Sequence, residues 1–176
     1  MIFDAAGVIL KWAIPPRIKV LEALGAIVDG RVEFVPSQEV DLFGNQLSYV
    51  AKVFSSTKSK LYTVTWAPAK NAVMSNDNSA YWKSELSYPS IALLMLKGVL
   101  PLDKKLSIAL KGISWKDINQ KHSNDWAKTE EEVFLVAHRR GVDREELKAG
   151  AEKVLAEIEK LGLELFGDKV KPPQGY

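Results

Sequence analysis

The sequence predicts an α+β fold: an amino-terminal helix, an antiparallel β-meander of about four strands, then several helices ending in a long amphipathic one. Two observations carry this expectation. Apolar residues recur with period 2 between residues 31 and 76 and with period 3.6 from Tyr88 onward, the spacings that bury one face of a strand and one stripe of a helix. The later strand-like runs are joined by short polar segments, which connect neighbours as hairpins rather than as crossovers.

Taken in order, Pro15 and Pro16 lead a run in which Ile18, Leu21, Leu24 and Val28 share one face and Gly30 follows the end. Proline in the first turn and glycine after the last mark a helix. Arg31-Val32-Glu33-Phe34-Val35 alternates until Pro36 stops it, and residues 48–55, 60–66 and 71–76 supply three further strands. An apolar helix over residues 89–97 ends at Gly98, and a second over 104–111 ends at Gly112. Ser114 with Asp117, and Thr129 with Glu132, have capping-box spacing and open two more helices, while Asp143 with Glu146 opens the last, which runs toward Gly167. These elements suggest an α+β nucleic-acid-binding domain over 10–141, a helical oligomerisation element over 142–167 and a flexible tail over 168–176.

At 176 residues the chain is long enough for one domain with a helical appendage. A composition 47% hydrophobic and 26% charged is that of a globular protein. The absence of cysteine excludes disulfides, thiolate catalysis and cysteine-ligated metals, and with them favours the cytoplasm. Asp4 precedes the first apolar run and no small-residue cleavage site follows, so residues 1–11 do not read as a signal peptide. The longest apolar run, 91–96, is far short of the ~20 residues of a membrane span, and no membrane partner is expected. Net charge is only +2, so any case for a polyanionic partner must be local.

A local case exists. No acid stands between Asp41 and Asp77, whereas Lys52, Lys58, Lys60 and Lys70 do. A hairpin turning near Thr57-Lys58 sets Tyr49, Ala51 and Val53 opposite Trp66, Val64 and Tyr62 on a core face. Val50, Lys52 and Phe54 then oppose Thr65, Thr63 and Leu61 on the other face, where a lysine sits among apolar groups. The polar loop that follows presents Tyr81, Trp82 and Lys83. Lysines suit a phosphate track and rings suit bases, so Lys52, Lys58, Lys60, Lys70 and Lys83 are candidate phosphate contacts and Phe54, Tyr81 and Trp82 candidate stacking groups. Tyr62 and Trp66 read as core by register.

Catalysis finds no comparable support. His138 falls in a last helical turn, where a cation suits the dipole, and His122 with Asp117 and Asp125 reads as a solvated helix end. Glu130-Glu131-Glu132 suits a first helical turn. No phosphate-binding glycine loop, nucleophile elbow or paired-carboxylate motif occurs, so no catalytic residue, metal or cofactor is expected. On the last helix Leu147, Ala151, Val154, Ile158, Leu161 and Leu165 are spaced 4, 3, 4, 3, 4, a heptad seam that predicts a dimer or tetramer. The alternative is a helix docking its stripe on its own domain.

The Pro-Pro-led helix ending in Val28-Asp29-Gly30-Arg31-Val32, the strand Leu61-Tyr62-Thr63-Val64-Thr65-Trp66, the Asn-rich loop to Trp82 and the helix from Tyr88 to Gly98 together resemble the amino-terminal domain of the ThermoDBP proteins and their relatives. These are single-stranded DNA-binding proteins of hyperthermophilic archaea. The resemblance spans roughly residues 10 to 110 and implies a small α+β domain that binds single-stranded DNA, with carboxy-terminal helices making the oligomer; the residues themselves leave DNA or RNA open. Ser87-Tyr88-Pro89-Ser90-Ile91-Ala92-Leu93-Leu94 also resembles the end of a SWIM zinc module with every metal ligand missing. That likeness implies the rival function, a metal-less, non-enzymatic interaction or scaffolding module.

Overall fold

The computed structural model describes residues 10–36, 42, 44 and 46–174. Along the chain run α1 (Ile18–Val28), β1 (Val32–Val35), β2 (Tyr49–Phe54), β3 (Leu61–Ala67), β4 (Ala72–Ser75), α2 (Tyr88–Leu96), α3 (Lys104–Ala109), α4 (Trp115–Lys121), α5 (Trp126–Arg139), α6 (Arg144–Leu161) and β5 (Glu164–Leu165). The fold is α+β, with a five-stranded sheet ordered β1-β2-β3-β4-β5. Its first three pairings are antiparallel and β4 with β5 is parallel.

The hairpin register is the one the alternation requires: Tyr49, Ala51 and Val53 stand opposite Trp66, Val64 and Tyr62. Ala51, Val53 and Val64 are fully buried, and α2 covers that face of the sheet by packing on β1, β3 and β4. α2 is apolar on all sides because it is also covered from behind by α1. α1 in turn packs against α3, α5 and α6. The layers are therefore sheet, α2, α1 and an outer helical shell.

Three expectations need correction. α6 does not continue to Gly167. Gly162 takes a left-handed conformation (φ 55°) that ends the helix, its N–H donating to the Ile158 carbonyl, and the chain turns back to lay β5 beside β4. Leu165 thus belongs to a strand. The stripe read as an oligomer seam lies inside this chain: Leu147, Ala151, Val154 and Ile158 are at most 4% exposed, in the common core, with Leu161 half-buried against it. α6 packs on α1 and α5, so the docked-helix alternative describes it.

The third correction concerns α5, which begins a turn earlier than Thr129. Asp125 is its N-cap and accepts from the Lys128 N–H. Glu130, Glu131 and Glu132 consequently lie beyond the first turn, where they form ion pairs with Arg17, Arg144 and Lys121, from other segments. His122 also bonds Glu132 at 2.8 Å, and among the described residues no His/Asp/Glu group able to hold a metal ion forms. Among the described residues no helix is long and apolar enough to cross a membrane. Residues 1–9, on which the leader expectation falls, lie outside the described residues, as do Gly175 and Tyr176 at the end of the expected tail. Within that tail Lys169 donates to Ser84 Oγ and the Tyr81 carbonyl.

Candidate binding cleft

A cleft of about 540 Å³ opens where the tip of the β2–β3 hairpin, the loop 77–83, one side of α1 and the start of α4 meet. Five cationic side chains (Lys19, Arg31, Lys60, Lys83, Lys116) and five aromatic ones (Tyr62, Trp82, Tyr88, Trp115, Trp126) line it, against two carboxylates, Glu22 and Asp77.

Both carboxylates are engaged. Asp77 Oδ1 accepts from the Ser79 and Ala80 N–H groups and Oδ2 from the Ser75 hydroxyl at 2.7 Å. That cap nucleates the single turn Ser79–Lys83, which sets Trp82, 73% exposed, at the mouth. Glu22 accepts from Lys19 Nζ at 2.8 Å and from Asn119 Nδ2 at 2.9 Å. The asparagine amide is thereby oriented, and among the described residues its buried Oδ1 has no partner. Lys19 Nζ also lies 4.8 Å from the Trp126 ring centroid, with Lys83 Nζ at 5.8 Å from the same ring.

Arg31 is 3% exposed. Its Nη1 donates to the Phe54 carbonyl at 2.9 Å and its Nε lies 3.5 Å from Asp29 Oδ2, a contact of charges without a hydrogen bond. Among the described residues its Nη2 has no hydrogen-bond partner. Beside it the Tyr62 and Tyr88 rings meet edge to face at 6.3 Å. Burial pushes the Tyr62 hydroxyl up to about 12, with the Asp77 and Glu22 charges adding to the effect. Burial raises Tyr88 well above the usual tyrosine range as well. Both therefore stay protonated and neutral near pH 7. The cleft offers fixed donors, the exposed cations Lys83 and Lys116 and flat apolar walls, a setting for an anion that carries a planar ring.

The sequence candidates divide. Lys60, Trp82 and Lys83 gather at the cleft. Tyr81 packs edge-on against Trp82 at 4.7 Å and supports it. Lys58 is exposed at the hairpin tip, in a positive-φ conformation. Lys52 and Phe54 are half-buried on the outer sheet face, where β1 pairing brings Glu33 opposite Lys52 and Lys52 Nζ donates to Thr63 Oγ1 at 2.6 Å. That face is less basic than the acid-free stretch implies, because its acid comes from another strand. Lys70 lies away from the cleft lining, 5.3 Å from the Phe166 ring centroid. Sequence reasoning missed Arg31, Lys19, Glu22, Asn119, Trp115 and Trp126. One trace existed: Lys19 and Glu22, three apart, interrupt the otherwise apolar run 18–28.

These features define an α+β protein with a cationic, aromatic-walled cleft at one end of its sheet. The chain belongs to the family described as uncharacterised conserved protein UCP014422, whose model matches residues 12–164 and so spans every residue lining the cleft. No curated protein matches the chain, and no solved structure does.

Proposed function

We propose that the protein binds single-stranded nucleic acid, DNA or RNA, without reading its sequence, and that the cleft and its mouth are the site. The lining carries the proposal: five cations and five rings surround two carboxylates that are already hydrogen-bonded. Cations on phosphates release counterions, and a ring stacks on any base for roughly 1 to 3 kcal/mol. A duplex offers its phosphates but keeps its bases stacked and paired, out of reach of the rings. The resemblance to the ThermoDBP proteins supports the same activity. Fluorescence anisotropy with labelled poly-dT, poly-U and duplex DNA at two salt concentrations tests it. Single strands should bind more tightly than duplex and weaken as salt rises. Equal binding to all three, or none at low salt, would refute the proposal.

A further inference from the structure

We infer that the cleft receives a nucleoside monophosphate unit, with its phosphate monoester on Arg31 and its ring among the tryptophans. This rests on the single-strand binding proposed above and names the part of the strand that enters. Arg31 lines the cleft and is held from two sides by Phe54 and Asp29, and among the described residues its Nη2 is buried without a partner. A buried donor left unmet is costly, and an anionic oxygen is the acceptor that best satisfies a guanidinium. Tyr62, which carries a second donor in its hydroxyl, lines the same cavity. Asn119, oriented by Glu22, contributes the opposite chemistry, a buried carbonyl that has no partner among the described residues and can accept from the N–H of a base.

Size and access narrow the choice. A cavity of about 540 Å³ lies within the range that holds one small-molecule ligand. Arg31 is nearly out of solvent, so a phosphate that reaches it has passed the mouth. A terminal monoester can do so with its chain leaving on one side only, whereas an internal diester must lead two chains back out. The same chemistry has two sources, a free nucleotide or a phosphorylated strand end.

Quenching of tryptophan fluorescence in the full chain can follow dTMP, thymidine, inorganic phosphate, and short oligo-dT with and without a terminal phosphate. The expected result is that dTMP binds at least about tenfold more tightly than thymidine or inorganic phosphate, and that a terminal phosphate strengthens short oligo-dT comparably. Gln120→Glu, an exposed change that adds a carboxylate to the lining, should weaken dTMP while leaving thymidine nearly unchanged. Arg31→Lys, with its melting temperature checked, should remove the advantage of dTMP. Equal affinity for dTMP and thymidine, or for dTMP and inorganic phosphate, would overturn the inference. Oligo-dT binding that ignores the terminal phosphate overturns it too, while leaving single-strand binding intact. Tight dTMP binding with no affinity for oligo-dT supports the pocket and refutes the single-strand proposal.

Discussion

Lys19 and Glu22, one turn apart on α1, form an ion pair at 2.8 Å with side chains only 11% and 5% exposed. The pair stands at the wall of the cleft, and Asn119 ties it to α4. Removing one partner strands a buried charge, a loss of about 3 kcal/mol or more, whereas replacing both by apolar residues can be nearly neutral. Lys19→Met should therefore lower stability in urea by about 3 kcal/mol, and Lys19→Met with Glu22→Leu should recover most of it. A single-variant cost under ~1 kcal/mol would show that Glu22 is better solvated than its burial implies.

Gly25 on α1 determines how closely Trp115 approaches. A Cβ there would lie 2.6 Å from Trp115 Nε1 and 3.2 Å from its Cε2, so the rigid indole would have to move. Alanine favours the helix by roughly 1 kcal/mol over glycine, but overpacking costs about 1 to 3 kcal/mol. Gly25→Ala should be net destabilising and should weaken single-strand binding, because the displaced ring lines the cleft. Unchanged anisotropy with unchanged stability would mean that the ring has room to give.

Alkaline titration probes the cleft wall. Folding raises Tyr62 from near 10 to about 12. A raised folded value means that its contribution is fully present below pH ~10 and is lost as pH climbs through the folded value. Between about pH 9 and about pH 11.5 the wild type should lose more urea stability than Tyr62→Phe, which has no hydroxyl to titrate. Parallel slopes for the two proteins would contradict the raised value.

On α6, Ile158 is 3% exposed inside the chain's own core. Ile158→Glu buries a charge with no partner and should cost several kcal/mol in equilibrium unfolding, whereas Lys160→Glu, at an exposed position, should change little. A variant of normal stability but lower sedimenting mass would instead restore the oligomer seam expected from the heptad spacing.

The β2–β3 register was legible because alternation leaves one arrangement that buries Ala51, Val53 and Val64 together. The end of α6 was not. Gly162 and Gly167 are both plausible stops, and β5 is two residues long, too short to leave a periodic trace before its distant pairing with β4. Heptad spacing likewise describes an internal helix face as well as an intermolecular one. Of the site, Lys60, Trp82 and Lys83 were legible as a basic, aromatic-bearing loop and hairpin. Arg31, Asn119 and Trp126 come from separate segments and converge only when α4 and α5 fold back across the hairpin tip.

The most direct test of the cleft as the single-strand site compares Trp82→Ala with Lys52→Ala in anisotropy titrations against the same labelled oligo-dT. Trp82 is exposed at the cleft mouth, whereas Lys52 is bonded to Thr63 on the outer sheet face. Trp82→Ala should weaken binding by roughly 1 to 3 kcal/mol without changing the melting temperature, and Lys52→Ala should weaken it less. If Lys52→Ala loses as much affinity or more while Trp82→Ala binds like the wild type, the strand lies on the sheet face and the cleft is not its site.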